Sequence, residues 1–239
     1  MTEREALPPQ DFPITDEGAA RIVGRELLAF AGASLLYPFG LWRSRWRTRR
    51  RPQQRTIVLV HGYLANRGPL LPLAGYLRAR GHKQIVAYEY SGATGIEQAA
   101  IGLRSFLRER VRGGRVDLVC HSLGGLVARV YLQQLGGARR VDRCITLGTP
   151  HRGTYNAYWV TSRVGRELRP DSALLARIDS SRDQAARVRF ASIVAGSDNI
   201  VIPRVFSSND SVVHLPGVGH MGLLFSPTAF RAVAQQLAA

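Results

Sequence analysis

A chain of 239 residues with 45% apolar and 21% charged side chains can close one sizeable core, and its composition excludes disordered, fibrous and disulfide-stapled classes. Roughly 70% of the unfolded surface should be buried on folding. The net charge of +16, carried by arginine everywhere except Lys83, favours anionic partners. The arginines are spread along the chain with no recognition motif, so nucleic acid is not expected as a partner. A GC-rich coding sequence would leave the same arginine bias.

Residues 1–54 read as an extension. The first 26 residues mix acids with arginines, so no cleavable signal peptide is expected. Residues 27–42, LLAFAGASLLYPFGLW, are apolar for 16 positions and run into the basic segment 43–51. That length is short of the roughly 20 residues of a bilayer span, and Pro38 interrupts it. Three readings stay open: a helix packed on the body, an interfacial anchor, and a span. A basic run after an apolar segment suits a cytoplasmic membrane face, so the expected location is the cytoplasm or that face. Residues 27–51 would then make peripheral contact with anionic membrane.

From residue 55 onward, short β-branched runs alternate with amphipathic stretches. Strands are predicted at 56–60, 84–88, 116–120, 143–147, 190–195 and 212–215, and helices at 70–80, 95–112, 123–135 and 226–237. Nearly continuous apolar strands alternating with helices indicate an α/β fold, a mostly parallel sheet with helices on both faces. The working residues of such a sheet lie in loops at the carboxyl ends of its strands. Cys120 and Cys144 fall inside predicted strands and are read as small buried hydrophobes, with no zinc-site spacing.

The strongest chemical signal is VDLVCHSLGGLVARVYL, residues 116–132: a strand, a sharp glycine-rich turn at Ser122, and a helix. A serine on such a turn projects its hydroxyl above the sheet at the positive end of a helix, the arrangement of a nucleophile elbow, G-x-S-x-G. Gly124 supplies the second small residue, and Cys120 stands where the first glycine usually does. A serine hydroxyl needs a base. Of His61, His82, His121, His151, His214 and His220, the last lies in a glycine-flanked loop after the final predicted strand, and His220 is the expected base. His121 is expected to point away from the elbow, and His61 to hold its loop by hydrogen bonding. Asp198, after the strand FASIVA, is the expected orienting carboxylate, with Asp210 its main rival and Asp171, Asp179 and Asp183 behind. A plain turn-forming aspartate is the competing reading of Asp198. Oxyanion donors are expected from the amides of Leu123 and Tyr63, with Leu64 in reserve for the second.

Five segments, VLVHGYLAN, CHSLGGLVAR, ITLGTPHRGT, IVAGSDNIVIP and GVGHMGLLFS, together resemble a bacterial lipase or esterase of the α/β-hydrolase superfamily. The resemblance spans residue 57 to the C-terminus, and LGTPHRGT is its narrowest part, similar to lipases and related lipid esterases. It implies the α/β-hydrolase fold and carboxylic-ester hydrolysis through an acyl-enzyme on a small-molecule or lipid ester, without organic cofactor; no metal site is expected. Two departures are Cys120 and the lack of an antiparallel strand pair before Thr56, the second suggesting a compact six-stranded version. Residues 154–178 could be a mobile amphipathic lid or a plain surface helix, and Leu223, Leu224 and Phe225 could line an acyl site or belong to the core. An acyltransferase or thioesterase on the same triad is the nearest rival, and a catalytically dead membrane-binding module a more distant one. On this reading, removing residues 1–50 should weaken vesicle binding and spare hydrolysis of soluble esters.

Overall fold

Apolar, β-branched pentamers such as TIVLV can be buried only where both faces of a sheet are covered, and all five residues of β1 (Thr56–Val60) are buried. The computed structural model describes residues 18–41, 55–111, 113–202 and 211–239. Among these, β1, β2 (Ile85–Tyr88), β3 (Val116–His121), β4 (Val141–Leu147), β5 (Arg189–Ala195) and β6 (Ser211–Leu215) form one sheet in the order β2-β1-β3-β4-β5-β6. Every pairing is parallel. This is the compact six-stranded α/β-hydrolase sheet expected from the sequence.

Parallel strands need crossovers, and these divide between the faces. α2 (Leu71–Ala79) and α7 (Pro227–Ala238) cover one face, where Leu73, Leu77 and Val233 pack with Ile57, Leu59 and Ile145. α3 (Ile96–Arg110) and α4 (Leu123–Gln134) cover the other, where Leu103, Leu107 and Leu126 pack with Val58, Val60 and Leu118. Each such leucine contributes about 1.5–3 kcal/mol of hydrophobic stabilisation. The order of connection reverses between β1 and β3, which opens a crevice outside their carboxyl ends. Cys120 and Cys144 are free and fully buried, as small hydrophobes would be.

The segment after β4 is bound to the body at several points. A 3-10 turn (Tyr155–Trp159) is stitched to the loop after β5: Thr154 and Asn156 donate to the carbonyl of Ile200, and Tyr155 N–H to that of Ile202. α5 (Arg163–Glu167) and α6 (Ala173–Ser180) follow, and Val164, Leu174, Leu175 and Ile178 join the core. Tyr155 and Trp159 remain exposed, the latter at 88%.

The apolar N-terminal segment is longer than its composition suggested. α1 runs over Ala19–Leu41, 23 residues, and continues through Pro38 instead of stopping there. It packs lengthwise on the body with a stripe of small residues, Ala29, Ala33 and Gly40, and with Glu26. Asn66 donates to the carbonyl of Tyr37 at 2.9 Å. A Cβ at Gly68 would lie 2.1 Å from the carbonyl oxygen of Leu36, so only glycine permits this approach. The basic run 43–51 and Asp210 lie outside the described residues.

Candidate active site

β3 ends in His121, and Ser122 follows with φ 52° and ψ −124°, a left-handed conformation that a residue with a Cβ holds only under tertiary constraint. The constraint is visible. Ser122 N–H donates to the carbonyl of Leu147 at 2.8 Å, and its own carbonyl accepts from Gly125 N–H and the Thr149 hydroxyl. A Cβ at Gly124 would stand 2.6 Å and 2.8 Å from the carbonyl oxygens of His61 and Val60, so the elbow closes only with glycine there. Ser122 is partly exposed between buried neighbours, at the N-terminus of α4. The amide of Leu123 opens that helix and points along its positive end.

His220 and Asp198 meet. His220 Nδ1–H donates to Asp198 Oδ2 at 2.8 Å, with both side chains at most 3% exposed. Asp198 Oδ1 accepts the amides of Ile200 and Val201, each at 2.9 Å, so the residue is also the turn-former that its sequence context allowed. Burial pushes the Asp198 carboxyl up, but the His220 contact and the two amides outweigh it and hold the group below its ordinary value. His220 flanks the same stretch of backbone as Ser122: a Cβ on Gly148 would lie 3.1 Å from His220 Nδ1, while the preceding carbonyl, of Leu147, receives the Ser122 amide. Asp171 accepts from Tyr158 on the surface, and Asp179 pairs with Arg129; neither meets a histidine. His214 lies within β6 and His82 just beyond α2.

The loop after β1 lies across the crevice. A Cβ on Gly62 would be 3.0 Å from Cβ of Ser122, placing Tyr63 next to the elbow. Tyr63 is held through its hydroxyl, 3.1 Å from that of Ser162, and Leu64 has φ 52°. His61 holds this loop as expected: Nδ1–H donates to the Gly62 carbonyl, Nε2 accepts from Tyr90 N–H, and the ring stacks on Tyr90.

His121 departs from expectation. Its ring packs 4.9 Å from that of His220, and Nε2 lies 3.3 Å from the His220 carbonyl oxygen. Burying the last residue of β3 at the strand's carboxyl end turns this ring into the site. Leu223 and Leu224 resolve as core residues, 0% and 2% exposed, while the Phe225 ring lies against Gly32 of α1. Sequence reasoning missed Thr149, which buttresses the elbow, and Glu26, whose carboxylate accepts the amides of Met221 at 2.6 Å and Gly222 at 2.9 Å. Thr149 lies within the segment ITLGTPHRGT; Glu26 stands in a segment of mixed charge with no local signal. The Glu26 contact also revises the expectation for residues 1–50: their removal strips two hydrogen bonds from the segment that follows His220.

Three buried imidazoles are neutral. Burial lowers His61 to about 4, and burial together with the neighbouring His220 lowers His121 to about 3. His151, among the hydroxyls of Thr146 and Ser192, is also well below its ordinary 6.5 through burial, with Arg129 adding to it. Each therefore contributes stability that is whole above 6.5 and is lost as pH falls toward the folded value, because the unfolded chain takes up the proton first. Denaturant melts at pH 7, 6 and 5 are expected to show His61→Asn losing stability less steeply than wild type, by up to ~1.4 kcal/mol per pH unit. Parallel slopes would rule out a buried neutral His61.

Comparison with known proteins agrees with the fold. The family model for palmitoyl protein thioesterase matches residues 88–205, a stretch that includes Ser122 and Asp198 and ends before His220. The mature form of a lipase from Bacillus licheniformis is similar in structure, with a TM-score of 0.68 at 16% identity, covering 80% of this chain and 95% of the lipase. A pyrethroid hydrolase from Sphingobium faniae gives 0.55 at 17% identity over 78% of this chain and 98% of its own. Mouse alpha/beta hydrolase domain-containing protein 10 gives 0.55 at 15% identity over 80% and 91%. The chain has the α/β-hydrolase fold and is similar to lipases, esterases and thioesterases that share it.

Proposed function

We propose that the protein hydrolyses lipophilic carboxylic esters through an acyl-enzyme on Ser122. The observation that carries this reading is the buried 2.8 Å pair of His220 and Asp198 beside a strained, partly exposed serine on a strand–helix turn. In the proposed sequence His220 Nε2 takes the proton from Ser122 Oγ as Oγ bonds to the acyl carbon. Asp198 fixes the tautomer that leaves Nε2 free to accept, and stabilises the imidazolium. The amides of Leu123 and Tyr63 receive the oxyanion. The intermediate collapses, the C–O bond breaks, and the alcohol leaves with the proton from His220. Water, deprotonated by the same imidazole, then attacks the acyl-enzyme and releases the acid.

A thioester in place of the oxygen ester is the second reading, favoured by the description of the family model. The same attack applies, with a thiolate as leaving group. Both are tested by p-nitrophenyl esters and acyl-thioesters of two to sixteen carbons, assayed side by side. Turnover rising with chain length is the expected result, and the preferred leaving group separates the readings. No turnover of either series by folded protein that also resists fluorophosphonate labelling would point to a binding module instead.

A further inference from the structure

α1 is built inside out. Its inward stripe is small and polar, Ala29, Ala33, Gly40 and Glu26, while Val23, Leu27, Leu28, Leu35, Phe39 and Leu41 face outward. Leu28 and Leu35 are 74% and 73% exposed. A helix bound for water carries the opposite pattern. The outward face also has no carboxylate: Glu26 is the helix's one acid, and it is turned in and capped by the amides of Met221 and Gly222. Arg21 and Arg25 are exposed, and the whole chain carries +16.

From these observations we infer that α1 docks the catalytic body side-on to an anionic phospholipid bilayer, and that Glu26 fastens the docked helix to the His220 loop. The apolar outer face matches the acyl region, and the net charge matches acidic headgroups. The packing favours docking over spanning. Contacts with the body run from Glu26 to Gly40, about 21 Å of helix axis. A spanning helix must shed such contacts over roughly 30 Å of hydrocarbon. The helix lies on loops that follow β1 and β6, the rim where the exposed side chains of Leu64, Tyr155 and Trp159 also emerge. A lipid substrate leaving the bilayer would meet the site at this rim, and here the inference rests on the proposed hydrolase reading.

Glu26 is a positioning residue in this scheme. Two charge-assisted hydrogen bonds fix the backbone directly after His220, and so fix where the imidazole stands. The experiment uses the full chain with vesicles of phosphatidylglycerol and phosphatidylcholine, with pure phosphatidylcholine alongside, and p-nitrophenyl butyrate as a soluble ester. Wild type should co-sediment with the anionic vesicles, and the double variant Leu28→Asp, Leu35→Asp should lose partitioning roughly tenfold or more with soluble-ester turnover unchanged. Glu26→Ala should keep vesicle binding, lower kcat about tenfold with KM unchanged, and recover part of the loss as Glu26→Gln, which restores one acceptor. A fall in Tm without a change in kcat would overturn the positioning role.

Docking is overturned if the double variant binds like wild type. It is equally overturned if its sole effect is to split a dimer, which would assign the face to a second copy, or if wild type resists extraction by carbonate as a spanning protein does. The two readings fail separately. Ester turnover without vesicle binding removes the docking surface and leaves the hydrolase; vesicle binding without turnover does the reverse.

Discussion

Ser122→Ala is expected to lower kcat for ester hydrolysis by on the order of 10⁴–10⁶-fold, with the fold intact. The loss should be large because nothing nearby substitutes for the hydroxyl: the adjoining His121 is buried, neutral and engaged with the His220 carbonyl. The backbone strain offers an independent check. Ser122 holds φ 52° because hydrogen bonds to three neighbours, Leu147, Gly125 and Thr149, over-determine it, and a Cβ there is a cost, not a requirement. Ser122→Gly should therefore be as inactive as Ser122→Ala yet more stable by about 1 kcal/mol in a denaturant melt. An active Ser122→Ala would move the nucleophile elsewhere. A glycine variant less stable than the alanine one would show that the turn is not strained.

Asp198→Asn is expected to cost on the order of 10⁴-fold in kcat with little change in KM. Asparagine can still accept the Ile200 and Val201 amides through its oxygen, so the turn survives. The group facing His220 Nδ1 then becomes an N–H donor, which repels the N–H of the required tautomer. Stability gives a second readout. The wild-type carboxyl sits below its ordinary 3.8, so its contribution is present above that pH and is lost as pH falls through the lower folded value. Asp198→Asn should lack this acid-side loss when melts are compared between pH 5 and 3. A variant retaining more than a tenth of wild-type kcat would break the assignment, as would one whose acid profile is unchanged.

How much of this was legible depended on the range of the interactions involved. All six strands were visible as apolar β-branched runs, a mark that burial on both faces leaves on the inner strands and that the half-exposed edge strand β6 carries as well; β4 begins at Val141, two residues before the predicted start. Ser122, Asp198 and His220 could be read together because the fold sets their order along the chain, and two of the three prove to be in direct contact. What stayed hidden was long-range or reversed in sense. Residues 19–26 gave no helix signal because their charges break the apolar pattern, and α1 hides small residues where an ordinary helix hides large ones. The side of the sheet on which His121 lands is fixed by the elbow that follows it, which reading strand composition cannot supply. Val164 and Leu168, read as possible lid residues, pack on the core because α5 is tied down by the Ile96 amide, which donates to Glu167.

The bonds from Met221 and Gly222 to Glu26 close across 195 and 196 residues. Loop-closure entropy of that size is recovered only after the intervening sheet has formed. An element translated before the first strand is thus among the last to dock, and until it does, its apolar side chains stand open on both flanks. On the ribosome the loop after His220 would remain unsupported until α1 had docked. On the proposed function, hydrolytic competence would follow only then, late and all at once.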